Sequence, residues 1–172
     1  MKSFFHFSLL IFVFSWIIPL SVYSQSGSYV IDQIEWTEGE SAESKLTISI
    51  QNGVGKIIEI GNVLNEEIRI VSIEHNAVPL WMTTNQALFE KKVSGTVFVQ
   101  IVDKRAKIEF NDVLKSGDKL IVKLALAVPT AQALKLLPEK KYNLDVTVRK
   151  DHNSNPVKLT NSQTIKVKAD AP

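Results

Sequence analysis

Apolar and polar side chains alternate over short runs throughout residues 25–172, and this period of two is typical of β-strands. The run 44–51 shows it most clearly, because Leu46, Ile48 and Ile50 would face one way and the residues between them the other. The run 119–128 repeats the pattern and is expected to be the longest strand. Antiparallel sheets with one face on the core and one in water produce such alternation. The pattern therefore predicts an all-β fold.

Further strands are predicted at 29–36, 56–60, 67–74, 96–102, 106–110 and 142–149, and one last strand runs from 157–159 to 164–168 with a candidate break at 160–162. Within them, Val97, Val99 and Ile101 should share one face, and a slip in the alternation after Ile70 predicts a bulge or a bend into the second sheet. One short helix is expected at 130–137, with Thr130 as its cap and Leu134 and Leu137 closing one end of the sandwich. The sequence thus predicts an antiparallel β-sandwich of about eight or nine strands.

The N-terminal segment differs from the rest of the chain. Lys2 precedes an almost purely apolar run at 4–20, and small and polar residues follow Pro19. This order is typical of a secretory signal peptide over residues 1–24, with cleavage between Ser24 and Gln25. An uncleaved membrane anchor over 4–22 is the alternative. We expect a short linker at 25–28, one domain at 29–172, and a secreted, extracellular or periplasmic location without membrane contact after cleavage.

Composition excludes several classes of function. Without Lys2, 19 basic residues face 18 acidic ones, a net charge of +1, and the two signs are interleaved. A nucleic-acid-binding protein needs a concentrated basic surface, so nucleic acid is not expected as a partner of this chain. The chain has no cysteine, so it has no disulfide framework, and the core alone must stabilise an exported domain of 148 residues.

One local motif in the C-terminal third points to a family. Leu136, Pro138, Tyr142, Leu144 and Val146 stand in the order L-x-P-x-x-x-Y-x-L-x-V. This resembles the tyrosine corner of fibronectin type III and immunoglobulin-like domains, in which the tyrosine hydroxyl bonds back to the preceding backbone. The resemblance covers about residues 119–168 and implies an immunoglobulin-like sandwich. It implies no function, because such a motif marks a fold.

Catalytic and metal-binding motifs are sparse. His75 and His152 are the two histidines outside the signal segment, and neither stands in a known catalytic pattern. Both are expected in exposed loops, and no enzyme is predicted. Asp151, Asn153 and Asn155 open like a calcium loop, but Pro156 stands where that loop needs glycine. A hairpin loop of turn-forming residues is the preferred interpretation, and no cofactor is expected.

Three binding functions stay open. The first is a non-catalytic module for adhesion, protein binding or surface structure, with Trp81 and the loop residues Asp151, His152, Asn153 and Asn155 as candidate contacts. The second is a carbohydrate-binding module that stacks sugars on exposed faces of Trp36 and Trp81. The third is a fibre subunit that donates the strand at 29–36 to a neighbouring copy, which would make the protein a homo-oligomer.

Overall fold

A computed structural model describes residues 25–62, 67–83, 90–92, 97–136 and 142–168. The predicted signal peptide at 1–24 lies outside these ranges. The strands are β1 (Ser26–Ile31), β2 (Glu35–Thr37), β3 (Ser41–Asn52), β4 (Val54–Asn62), β5 (Ile68–His75), β6 (Val78–Thr83), β7 (Glu90–Lys92), β8 (Val97–Val102), β9 (Arg105–Lys115), β10 (Lys119–Ala127), β11 (Leu144–Arg149), β12 (Val157–Lys158) and β13 (Lys166–Lys168). One helix, α1 (Ala131–Lys135), accompanies them.

The strands form two antiparallel sheets and one parallel pair. The six-stranded sheet has the order β1-β3-β10-β5-β6-β7, and the five-stranded sheet has the order β12-β11-β4-β9-β8. Strands β2 and β13 pair in parallel. The all-β sandwich predicted from the alternation is confirmed. Membership of the immunoglobulin or fibronectin type III superfamily stays a prediction.

The core lies between the two sheets and is built by the alternation itself. Leu46, Ile48 and Ile50 of β3 are buried, and they share this interior with the residues of β10 that the sequence placed inside. Those residues are Leu120, Val122, Leu124 and Leu126, followed by Val128. With 12 residues, β3 is longer than the nine-residue β10, so the prediction of the longest strand was wrong.

The strand count of eight or nine was too low, because two predicted strands are each divided and because β6 and β7 were not predicted. The segment at 29–36 contains β1 and β2, since the Asp32 carboxylate accepts the Lys45 backbone N–H at 2.7 Å and ends β1. The C-terminal segment divides likewise into β12 and β13. At the other end, β1 begins at Ser26, so most of the predicted linker at 25–28 is strand.

The turns follow the local backbone chemistry. Gly53 and Gly117 adopt positive φ values of 78° and 92° where β3 meets β4 and β9 meets β10. Asp103 and Lys104 have φ values of 49° and 63°. They make a two-residue turn of the kind that joins tight hairpins, and Val102 pairs directly with Arg105.

The predicted bulge in β5 is confirmed. Ser72 pairs with Lys123 and Ile70 pairs with Leu124, which leaves Val71 as the extra residue. Because of this insertion, Ile70 and Ile73 both reach the core although they are three residues apart.

Helix α1 begins where the sequence predicted and ends earlier. The Thr130 hydroxyl accepts the Ala133 backbone N–H at 3.3 Å, which confirms the cap. The expected end-plug rested on the side chains of Leu134 and Leu137, which lie outside the described part of the molecule. Leu136 is 83% exposed.

Tyr142, the predicted corner tyrosine, is buried and packs edge-on against Trp36, with ring centroids 5.4 Å apart. The backbone at 137–141, to which a corner bond would run, lies outside the described residues. A buried tyrosine-to-backbone bond is made by Tyr29, whose hydroxyl donates to the Leu144 carbonyl oxygen at 2.6 Å. This bond joins the six-stranded sheet to the five-stranded one. Burial raises the pKa of the Tyr29 hydroxyl.

Candidate functional site

Both tryptophans proposed for sugar stacking lie in the core. Trp36 is 2% exposed and Trp81 is 4% exposed. Trp81 stands opposite Ile73 on the inward face of the six-stranded sheet. Neither ring offers a face to a ligand, so the carbohydrate hypothesis and the choice of Trp81 as a contact residue were wrong. In the run around Trp81, Val78 and Met82 are the exposed apolar residues, at 59% and 49%.

The segment predicted as a donated strand is occupied within its own domain. Strand β1 pairs with β3 from Ser26 to Ile31, and β2 pairs with β13. The outer edge of β1 is also covered, because the Tyr29 backbone N–H donates to the Thr160 carbonyl at 3.0 Å. The Gln163 side chain bonds both the N–H and the carbonyl of Ile31. This contradicts donation of the segment at 29–36.

The loop at 151–156 joins β11 to β12 and is closed by its own polar groups. The Asp151 carboxylate accepts the Asn153 backbone N–H at 2.9 Å, and the Ser154 hydroxyl donates to the Asp151 carbonyl at 2.9 Å. His152, Asn153 and Asn155 are exposed. The loop therefore has the hydrogen bonds of a tight polar turn. Within the described ranges, no group of three or more His, Cys, Asp or Glu side chains is arranged to hold a metal ion.

His152 directs this loop toward the outer side of the five-stranded sheet. Its Nε2 lies 2.9 Å from Oε1 of Glu109 on β9. Directly opposed residues of an antiparallel pair share a face, so the pairing of Lys107 with Glu59 places both on this outer side. We call the charged side chains of this side the charged face: Glu59, Arg105, Lys107, Glu109, Asp145, Arg149, His152 and Lys158.

Ion pairs across neighbouring strands hold the charged face in place. Arg105 Nη2 lies 3.0 Å from Asp145 Oδ2, and Lys158 Nζ lies 3.3 Å from Asp145 Oδ1. Arg149 Nε lies 3.5 Å from Glu59 Oε1, and Lys107 Nζ lies 3.9 Å from Glu109 Oε2. Each residue stands on a different strand from its partner except Lys107 and Glu109. The network therefore runs from β12 across β11 and β4 to β9.

Gly61 lets one of these pairs form. It lies on β4 between the strands that carry Arg105 and Asp145, and a Cβ atom at this position would be 2.6 Å from Arg105 Nη1. The guanidinium group therefore crosses the strand where glycine leaves room. A second small feature is Ile57, which is 1% exposed although it stands on this outer side, between Glu109 and Arg149. The stems of its charged neighbours shield it from water.

The charged face ends at β8 in exposed apolar side chains. Phe98 is 45% exposed and Val102 is 49% exposed. They pair with Glu109 and Arg105, so they continue the outer side of the sheet, with Gln100 between them. Sequence reasoning missed this surface, since its parts come from segments far apart in the chain.

His75 belongs to a separate cluster that joins two turns. Its Nε2 lies 3.2 Å from Asp118 Oδ2, and the same carboxylate accepts the Lys115 backbone N–H at 2.7 Å. Asn76 donates to the other Asp118 oxygen at 3.0 Å. Burial opposes ionisation of Asp118, but these hydrogen bonds outweigh it and lower its pKa. His75 is the last residue of β5 and is partly buried, so the prediction of an exposed loop histidine was wrong.

Comparison with known proteins yields a likeness of fold. No protein-family model and no curated protein sequence matches the chain. The sixth cohesin of scaffoldin B from Acetivibrio cellulolyticus, solved with a dockerin, has 13% identity and a TM-score of 0.38, with 84% of this chain and 94% of that chain covered. A type I cohesin from Clostridium thermocellum, solved with its dockerin, gives 14% identity, a TM-score of 0.42, and coverage of 85% and 91%.

A non-cellulosomal cohesin from the archaeon Archaeoglobus fulgidus gives 14% identity and a TM-score of 0.36, with 84% of this chain and 88% of that chain covered. No functional argument rests on these resemblances. Among the helices of the described residues, none is long and apolar enough to cross a membrane.

Proposed function

We propose that this protein is an exported, non-catalytic module that binds a partner protein on the outer side of its five-stranded sheet. The observation that carries the proposal is the placement of Phe98 and Val102, both nearly half exposed, beside the charged face. Protein-docking surfaces usually combine exposed apolar side chains with polar neighbours, and here the apolar residues lie at the β8 edge of the charged face. Exposed apolar side chains grouped in this way mark interaction sites more often than scattered ones do.

The charged face is suited to docking because its side chains are already ordered. Arg105 and Lys158 both reach the single carboxylate of Asp145. Exposed ion pairs of this kind add little to stability. Their effect in a binding surface is to fix the charge pattern and so reduce the ordering cost of association. A partner with a complementary row of charges beside an apolar strip would fit this surface.

The loop at 151–156 borders this surface and supplies adaptable polar groups. His152 reaches onto the charged face, while Asn153 and Asn155 are exposed at its margin. Asp151 holds the loop closed. In the proposed function, His152, Asn153 and Asn155 contact the partner and Asp151 positions them. Loops on a rigid sheet commonly carry recognition in this way.

Export is the second part of the proposal. The segment at 1–24 has the charge, apolar run and small residues of a signal peptide. Cleavage after Ser24 would leave Gln25, whose side chain donates to the Val54 carbonyl at 2.5 Å, directly before β1. The cut would thus fall at the boundary of the folded domain. A secreted, extracellular or periplasmic module follows from this reading.

Site-specific photo-crosslinking tests the proposal. A photoreactive residue replaces Lys158 on the charged face in the cells that produce the protein, and a matched variant carries it at Lys45. Lys45 is an exposed lysine on β3, in the other sheet. We expect one protein to crosslink at position 158 and not at position 45. Equal crosslinking at the two positions, or at position 45 alone, would contradict docking on the charged face.

A further inference from the structure

Strand β8 differs from the other strands at the margins of the two sheets. It is the last strand of the five-stranded sheet, and among the described residues β9 is its one strand partner. Its sequence, Val97-Phe98-Val99-Gln100-Ile101-Val102, has no charge, glycine or proline. Proteins normally protect such edges with charges, short length or a covering segment.

The other margins have that protection. Strand β1 is covered by the chain at 160–163. Strand β12 has two residues, one of them Lys158, and β7 has three residues, all of charged type. Among the described residues, β8 is thus the one sheet-margin strand that has none of these protections. Its composition favours pairing with another strand.

The backbone groups available for pairing follow from the hairpin. In a two-residue hairpin, the residues that flank the turn exchange hydrogen bonds with each other. Val102 and Arg105 hold those positions, so the backbone groups of Val102, Gln100 and Phe98 point toward β9. By alternation, the N–H and carbonyl groups of Val97, Val99 and Ile101 point away from the sheet.

We propose that two copies of this protein pair through β8 in antiparallel orientation, with Gln100 opposite Gln100 of the second copy. The two copies are related by a two-fold axis perpendicular to the sheet. The core-facing sides of the two five-stranded sheets therefore lie on the same side of the joined sheet. In this register Val99 meets Ile101 of the second copy, and these are the residues whose backbone groups point outward. Phe98 meets Val102 of the second copy on the other side of the sheet.

The exposure of Ile101 supports this register. Val97 and Val99, which share its side of β8, are 2% and 5% exposed, whereas Ile101 is 48% exposed. The sequence predicted that all three share one face, so the exposure of Ile101 sets it apart from the other two. Pairing places Ile101 against Val99 of the second copy and covers it. A second copy suits the edge because, between residues 98–102 of the two copies, apolar residues oppose apolar ones and the Gln100 amides oppose each other.

A single cysteine tests the register, because the native chain has none. Residues opposed across a non-hydrogen-bonded antiparallel pair have Cα atoms about 4.5 Å apart, which a disulfide can span. Under mild oxidation, purified Gln100→Cys should form a covalent dimer. Phe98→Cys should not, but should crosslink when mixed with Val102→Cys. The control Lys45→Cys should stay monomeric.

Charge substitution supplies a second test that needs no crosslink. Gln100→Lys and Gln100→Glu each place like charges together at the axis and should raise the dissociation constant at least about tenfold. Mixing the two variants should restore association. Ultracentrifugation of the wild-type protein should show a monomer–dimer equilibrium. A strict monomer up to about 1 mM, or no recovery in the mixture, would overturn the proposal. An edge that binds an extended peptide of another protein would give that result.

Discussion

The Tyr29 hydroxyl donates a 2.6 Å hydrogen bond to the carbonyl oxygen of Leu144, 115 residues further along the chain, and so joins the two sheets through the core. Both residues are buried, at 4% and 2% exposure. A buried carbonyl that loses its donor bears the cost of its desolvation.

Tyr29→Phe should therefore lower the free energy of unfolding by about 1–2 kcal/mol. Urea denaturation with an unchanged m-value is the measurement. Val30→Ala, at an exposed position of the same strand, serves as a control with a change below about 0.5 kcal/mol. Equal effects of the two substitutions would show that the hydroxyl bond does not contribute.

Gly61 and Arg105 should be energetically coupled. An alanine Cβ at position 61 would displace the guanidinium group and weaken its pair with Asp145. A double-mutant cycle of Gly61→Ala with Arg105→Ala should give a coupling energy of about 0.5–1 kcal/mol. In the Arg105→Ala background, Gly61→Ala should be neutral or stabilising, since a strand favours alanine over glycine. Additive effects would mean that Arg105 does not depend on the space at Gly61.

Acid should destabilise the protein partly through Asp118. The folded-state pKa of this carboxyl is lowered, so its contribution is complete above the unfolded value of about 3.9 and is lost as pH falls through the folded pKa. Asp118→Asn should reduce stability at pH 7 and make stability less dependent on pH below about pH 4. Chemical denaturation at a series of pH values measures both effects. If the free energy of unfolding falls with acid as steeply in the variant as in the wild-type protein, Asp118 does not contribute to acid destabilisation.

A substitution in the turn at Asn76 and Ala77 should increase the stability of the protein. Ala77 has a φ of 65°, a left-handed conformation that raises the conformational energy of any residue with a Cβ atom. Asn-Gly is the preferred pair for such hairpin turns. Ala77→Gly should raise the free energy of unfolding by about 0.5–1 kcal/mol. Ala133→Gly in helix α1 is the control, and it should not stabilise. A loss of stability in Ala77→Gly would contradict the assigned turn.

Much of the fold could be predicted because its signals are local. Alternation in β3 and β10, the glycine turns and the slip at Val71 each depend on a few neighbouring residues. The division of the segment at 29–36 was missed, since it depends on the contact of Asp32 with Lys45 on another strand. The exposure of the two tryptophans was left open by the sequence, because it is set by the second sheet and not by the residue type.

The candidate site could not be predicted, because strand order assembles it. Arg105 and Asp145 are 40 residues apart and meet only because β9 and β11 both flank β4. In the sequence these residues belong to charges of both signs that are interleaved along the chain, a pattern that marks no particular surface. The uncharged run of β8 was a partial signal for an apolar surface. The period of two shows which residues share a face, but it does not show whether a strand lies at the edge of its sheet.

In the proposed function, a partner protein docks on the outer side of the five-stranded sheet. Two valines of equal exposure test it most directly: Val102 at 49% beside the charged face, and Val30 at 48% on β1 in the other sheet. Crosslinking identifies the partner, and calorimetry then measures its affinity for this protein. The concentrations are kept low enough for this protein to be monomeric. Val102→Ser should weaken binding about tenfold or more, and Val30→Ser should leave it unchanged. Unchanged binding in Val102→Ser with a loss in Val30→Ser would contradict the claim.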